Sequence, residues 1–216
     1  MSKKITLMGL LTLFIVSLFG CSNGGEQVSS ERIEYLKDPR YGYMSIKYLN
    51  PEEEQEYYKE NLEECNKIMT SYLGEDFKEA EVIPISICEM YDGGSFPRGM
   101  QMNGVIYLNL NFEQDDMDMV TTLVHEQLHY QRQNGMKIKG LDEKDNVTLT
   151  EYIVYNLTEK VCCEYNYEIY NKCNYGPAPK IEKLDDSLET LYKVYLGKEK
   201  ISKELEKKIK TCFEHS

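Results

Sequence analysis

Residues 124–130 read VHEQLHY. The chain has only three histidines in 216 residues, and this stretch places His125 and His129 four positions apart, with Glu126 between them. On composition alone, about 0.005 such H-E-x-x-H arrangements are expected in a chain of this length. The motif is therefore the first feature of the sequence to explain.

The residues around the motif predict an amphipathic helix. A mostly apolar stripe recurs at helical spacing from Met117 onward, and the helix is expected to end near residue 133, before an Asn-Gly pair. Residues four apart lie on the same helix face, so His125 and His129 can reach one ion. Glu126 projects about 100° round the helix from His125. It is a poor third ligand there but well placed to take a proton from water beside a metal.

A catalytic zinc usually has three protein ligands and an open fourth position, so the motif needs one more ligand. The metzincin pattern continues with a glycine and a third histidine, but Arg132 and Gly135 occupy those positions. His215, the second-last residue, is an unsuitable ligand. The expected third ligand is a carboxylate on the next predicted helix, which starts at about Thr148.

The rest of the chain predicts a mixed α and β fold. Strands are predicted at residues 41–49, 81–90 and 105–112, a long loop at 91–104, and further helices at 51–73, 181–196 and 200–213. The strand at 105–112 alternates apolar and semi-polar residues, and we expect it to form an edge of the sheet.

The order of these elements resembles that of gluzincin-type zinc metallopeptidases, the thermolysin-like and aminopeptidase-like zincins, over roughly residues 41–170. In that family the third ligand is a glutamate within a stretch resembling L-x-E-G-x-x-E/D-Y. LTEYIVY at 149–155 fits at Leu149 and Glu151, whereas Tyr152 and Tyr155 stand where glycine and a second acid are common.

The resemblance implies Zn²⁺ bound by both histidines of the motif and by Glu151, with Glu126 as the general base. The spacer of 21 residues between His129 and Glu151 is slightly long for the family. Glu159, two turns further on, is the alternative third ligand, and Glu143 in the preceding linker is a weaker one.

The resemblance also implies a fold: α+β and zincin-like, with a small twisted sheet, an active-site helix that carries H-E-x-x-H, and a mostly helical C-terminal subdomain. GMQMNG at 99–104 resembles the G-x-M-E-N loop of zinc aminopeptidases, but Met102 replaces the glutamate that holds a substrate's amino group. This departure favours an endopeptidase, whose substrate would pair with the edge strand.

The N-terminus indicates export. Two lysines precede an uncharged apolar run at 5–19, which is shorter than the roughly 20 residues of a membrane-spanning helix and typical of a signal peptide. LFGC at 18–21 resembles a bacterial lipobox, which implies cleavage before Cys21 and lipidation of its thiol. An uncleaved N-terminal membrane segment is the alternative. Both place the chain outside the cytoplasm, at a bacterial membrane.

These features predict four segments: a signal peptide at 1–20, the lipidated Cys21 with a flexible tether at 21–40, an N-terminal α/β zincin subdomain at 41–135 and a helical subdomain at 136–216. The formal net charge of −12 argues against a nucleic-acid partner. Six further cysteines are compatible with either disulfides or free thiols: Cys65, Cys88, Cys162, Cys163, Cys173 and Cys212.

The predicted function is that of a lipid-anchored, extracytoplasmic zinc endopeptidase, expected to be monomeric, that hydrolyses peptide or protein substrates. Two other functions remain open. One is a zinc amidase that acts on the cell wall, and the other is a non-catalytic surface lipoprotein with a zincin fold. The intact Glu126 argues against the non-catalytic alternative, because binding a metal does not need a general base.

Overall fold

A computed structural model describes residues 33–38, 40–91, 96–111, 116–132, 135–165 and 179–214. The predicted signal peptide and Cys21 lie outside these ranges, as do Cys173 and His215. Within them, no helix has the length and apolar character to cross a membrane.

The described chain contains five strands and five α-helices in a mixed α and β arrangement. In chain order they are β1 (Ile33–Asp38), β2 (Gly42–Tyr48), α1 (Pro51–Leu73), β3 (Glu81–Met90), β4 (Gly99–Met102), β5 (Val105–Asn109), α2 (Asp116–Gln131), α3 (Glu143–Tyr165), α4 (Leu188–Tyr195) and α5 (Lys203–Phe213). The predicted α+β class is confirmed at this level. Helix α3 begins five residues before its predicted start, and β1 forms inside the segment predicted to be a tether.

The five strands form one sheet in the order β1-β2-β3-β5-β4. Only β3 and β5 run parallel, and the other neighbours are antiparallel. The edge-strand prediction was wrong: β5 lies inside the sheet, and β4, from the predicted loop, forms the edge. A two-residue turn joins β4 to β5, and both Asn103 and Gly104 have positive φ angles (53° and 86°), as an Asn-Gly hairpin requires.

The main core lies between the helices and one face of the sheet. It includes Leu123, Val124 and Leu128 of α2 and Ile153 and Leu157 of α3, each fully buried. Helix α2 is therefore apolar on the sides that pack and carries its histidines on the side that faces α3. A smaller core of residues from β2, β3 and β4 covers the opposite face of the sheet: Met44, Ile46, Ile85, Ile87 and Met100.

Arg132 fixes the end of α2 against the C-terminal helices. Its Nη1 donates to the carbonyl oxygens of Val194 (2.6 Å) and Tyr195 (2.8 Å), and its Nε donates to that of Gly135 (3.0 Å). The Tyr195 hydroxyl donates to the Leu128 carbonyl at 3.1 Å. These bonds satisfy carbonyls at the end of α4 and hold the histidine-bearing helix in place.

Of the two alternatives for the cysteines, disulfides or free thiols, the structure shows free thiols at three positions. Cys65 is a buried free thiol in α1, whereas Cys88 and Cys163 are free thiols with greater exposure. Burial raises the pKa of Cys65 well above its usual value, so this thiol stays protonated and inert.

Candidate metal centre

Helices α2 and α3 bring together His125, His129 and Glu151. The Nε2 atoms of the two histidines are 3.1 Å apart. Glu151 Oε1 lies 3.2 Å from His129 Nε2, and Glu151 Oε2 lies 3.5 Å from His125 Nε2. His125 is 1% exposed and His129 8%. The three residues that the sequence predicted as ligands therefore offer donor atoms around one point.

The alternative third ligands lie elsewhere. Glu159 is exposed and lines a separate surface depression with Lys160 and Glu189. Glu143 is exposed at the first turn of α3, two helical turns before Glu151. Neither joins the group of donor atoms around the two histidines.

The surroundings of His125 leave its Nε2 available to a metal. The Thr158 hydroxyl donates to the Val154 carbonyl at 2.8 Å, so its oxygen can only accept from His125 Nδ1, which is 3.4 Å away. A proton on Nδ1 puts the lone pair on Nε2. Burial, opposed by a hydrogen bond to Glu151 and reinforced by His129, lowers the pKa of His125 and favours the neutral ring that binds metals.

Tyr155 packs against the same imidazole. Its ring centroid lies 4.6 Å from that of His125, at an interplanar angle of 61°. Burial, with further contributions from Glu151 and Glu126, raises the pKa of Tyr155, so its hydroxyl keeps its proton and can donate a hydrogen bond.

Glu126 is buried between α2 and the edge strand. It is 1% exposed, and β4 approaches so closely that a Cβ on Gly99 would lie 3.0 Å from Glu126 Cγ and 2.9 Å from Thr122 Cγ2. Glycine at position 99 is thus a steric requirement of this packing. On its other side, Glu126 Oε2 lies 3.4 Å from Nη1 of Arg40.

Sequence reasoning missed Arg40 and Asp38, which the turn between β1 and β2 brings to the site. Arg40 donates to both carboxylate oxygens of Asp38 at 3.1 Å, through Nε and Nη2. Its Nη1 also lies 3.6 Å from Glu151 Oε1. Arg40 lies 86 positions before Glu126, and no motif around it in the sequence indicates that the two residues are in contact.

The charges of the site fit a divalent cation. Asp38, Glu126 and Glu151 are three acidic side chains at most 13% exposed, and Arg40 supplies one positive charge. The buried carboxylates thus outnumber the one permanently charged cation, and a divalent ion would balance them. Glu151 Oε1 is buried without a well-aligned hydrogen bond, although His129 is close.

The spacing of the donor atoms also fits. Ligands about 2.0–2.1 Å from a tetrahedral zinc are roughly 3.3 Å from one another. The two Nε2 atoms are 3.1 Å apart, and each faces a different oxygen of Glu151: His129 lies 3.2 Å from Oε1 and His125 lies 3.5 Å from Oε2. Burial alone raises the pKa of Glu151, but the histidines outweigh it and hold that pKa well below its usual range. The carboxylate is therefore ionised, as a ligand must be.

A groove of about 770 Å³ opens onto the site. His129 and Glu151 line it together with Arg40 and with Gln101 of β4, and the segment 135–141 forms the far wall. Through Gln101 the groove reaches the edge strand of the sheet.

The chain matches no protein-family model, no curated protein and no solved structure. The likeness to gluzincins thus stays a prediction, and the function is inferred from the geometry of the site.

Proposed function

We propose that this protein is a zinc-dependent peptidase. The observation that carries the proposal is the convergence of donor atoms from His125, His129 and Glu151, two of which, His129 and Glu151, line an open groove. Glu126 follows His125 directly and lies buried beside the group. Zinc held by such a donor set supplies Lewis-acid chemistry, which makes water nucleophilic near neutral pH and polarises an amide carbonyl.

The residues of the chain perform the proton transfers. Glu126 Oε accepts a proton from the attacking water and later gives it to the leaving nitrogen of the peptide. Close packing against β4 limits the movement of Glu126 on one side, and its burial excludes bulk water. Tyr155, protonated and next to His125, is a candidate donor to the oxygen on which charge develops.

The free edge of β4 offers a way to bind an extended peptide. The Asn109 amide donates to the Arg98 carbonyl at 2.9 Å, so this pair is hydrogen-bonded. The register then alternates, and the backbone groups of Gly99 and Gln101 point away from β5. No other described strand covers that side. An edge pairs with the middle of a chain as readily as with its end, which favours an endopeptidase.

The peptidase is further proposed to work on the outer side of a bacterial membrane, held by lipid on Cys21. Strand β1 begins at Ile33, 12 positions beyond that cysteine. Substitution Cys21→Ser should release the protein from the membrane fraction, and recovery of the variant with the membranes would contradict lipid attachment.

The decisive test is digestion of a peptide library by the purified full-length protein, with and without a zinc chelator. We expect cleavage within the peptides that stops with the chelator and returns with added Zn²⁺. A parallel digestion of purified cell wall tests the amidase alternative. Metal binding without cleavage of either substrate would favour the non-catalytic alternative and overturn the proposal.

A further inference from the structure

Arg40 touches both acidic side chains of the candidate metal centre. Its Nη1 lies 3.4 Å from Glu126 Oε2 and 3.6 Å from Glu151 Oε1. One nitrogen thus brings an oxygen of the general base and an oxygen of a ligand around the same point. The position of Glu126 on its helix directs it away from the histidines, yet one nitrogen of Arg40 lies within 3.6 Å of both its carboxylate and that of Glu151.

The guanidinium of Arg40 is held rigidly. Asp38, which is 1% exposed, accepts from Nε and Nη2 of Arg40, and it accepts from the backbone amide of Arg40 at 2.7 Å. The Tyr41 ring lies 5.0 Å from the guanidinium carbon. This bidentate contact fixes the plane of the guanidinium and leaves Nη1 directed at Glu126 and Glu151.

Without the positive charge of Arg40 beside it, Glu126 would be able to bind the metal itself. Carboxylates are good zinc ligands, and a divalent ion attracts the nearest carboxylate strongly where water is excluded. Glu126 as a fourth ligand would close the open position and would no longer be a base. Gly99 limits its movement on one side, and Arg40 is the group that holds it on the other.

We propose that Arg40 is a positioning residue that keeps Glu126 off the metal, so that Glu126 acts as a base and one coordination position stays open. The inference rests on the proposed metal site. It also gives a role to the hairpin of β1 and β2, which lies outside the H-E-x-x-H motif. This hairpin carries Arg40, whose charge keeps Glu126 a base and not a ligand.

The test is metal binding by the full-length protein and its variant Arg40→Gln, measured by competition with a chromogenic chelator and by the visible spectrum of bound Co²⁺. We expect the variant to bind Zn²⁺ several-fold more tightly, because a repelling charge is gone and a carboxylate is added. The Co²⁺ spectrum should change as Glu126 joins the metal. Adding Glu126→Gln to Arg40→Gln should restore the parent spectrum.

The control and the intermediate variants keep the test sharp. Arg98 forms a more exposed ion pair with Asp118 at 2.7 Å, where β4 begins, and Arg98→Gln should leave affinity and spectrum unchanged. Arg40→Lys keeps the charge without the bidentate contact to Asp38. Its zinc affinity and Co²⁺ spectrum should lie between those of the parent and of Arg40→Gln. If Arg40→Gln does not fold, Arg40→Lys and Asp38→Asn decide by the same readouts.

Two results would overturn the inference. A loss of affinity of about 10–100-fold is what an ordinary residue that orients a ligand gives, and it would show that Arg40 only supports Glu151. A Co²⁺ spectrum identical to that of the parent would show that Glu126 does not move. Both readouts work without peptide cleavage, so a failure of the proposed peptidase function stays distinguishable from a failure of this inference.

Discussion

At the scale of single residues, metal binding and proton transfer should separate. Glu126→Gln removes the base but none of the three donor atoms, so zinc stoichiometry should stay near one while cleavage falls by about 10²–10⁴-fold. His129→Ala removes a donor and should lose both metal and activity. Zinc content by mass spectrometry, measured beside cleavage rates, checks this. Parent-like cleavage by Glu126→Gln would show that Glu126 is not the base.

The third ligand is tested by a matched pair of substitutions in α3. Glu151→Gln takes a charged donor from the group around the histidines and should weaken zinc binding by at least about 10-fold. Glu159→Gln removes an exposed carboxylate eight positions later and should change nothing. Equilibrium dialysis on both variants measures the difference, and the reverse result would make Glu159 the ligand.

The sequence predicted the residues that local spacing connects and missed those that only the fold connects. His125, His129 and Glu126 lie within five positions on one helix, and Glu151 follows on the next helix, so periodicity and the family resemblance reach all four. Arg40 contacts Glu126 across 86 positions, and Asp38 binds Arg40. No repeat or residue spacing in the sequence indicates these contacts.

At the scale of elements, the packing of β4 on α2 should tolerate no side chain at Gly99. The Cβ of Gly99→Ala would stand 2.9 Å from Thr122 Cγ2 and 3.0 Å from Glu126 Cγ. We expect a stability loss of about 1–3 kcal/mol and slower cleavage with unchanged zinc content. Adding Thr122→Ser removes the methyl group and should restore part of both. Urea unfolding and cleavage rates report the result, and a Gly99→Ala protein equal to the parent would refute the close packing.

Two strands show where element prediction reached its limit. β4 lies in a Gly-rich stretch that reads as a loop by composition, and the signal that could have found it was the Asn103-Gly104 pair, a hairpin turn followed by an alternating strand. β1 follows a polar Gly/Ser-rich segment. Its alternating sequence, Ile33–Asp38, lies within the range predicted to be a flexible tether, so the strand was not predicted. Because the hairpin turn at Asn103 and Gly104 was not recognised, β5 was predicted as the edge strand, whereas β4 forms the edge.

At the scale of the whole molecule, the site joins three parts of the fold that are distant in sequence. Arg40 comes from the β1–β2 turn, the histidines from α2 and Glu151 from α3. The sequence predicted that α2 and α3 would meet, because the ligand set requires it. It could not predict that the N-terminal hairpin closes the site, since this depends on the path of the whole sheet.

Metal binding should therefore stabilise the entire described fold. A ligand that binds only the folded state adds about 2.7 kcal/mol at 100 times its Kd, which corresponds to a rise of roughly 5–10 °C in Tm for a chain of this size. Stability itself should fall in acid, with or without zinc: burial lowers the pKa of His125, so below about pH 6.5 the unfolded chain takes up a proton that the folded chain does not. Melting curves from pH 5 to 8, with Zn²⁺ or chelator, measure both effects. His129→Ala should show no zinc increment at any pH, and an equal increment in that variant would place the stabilising ion elsewhere.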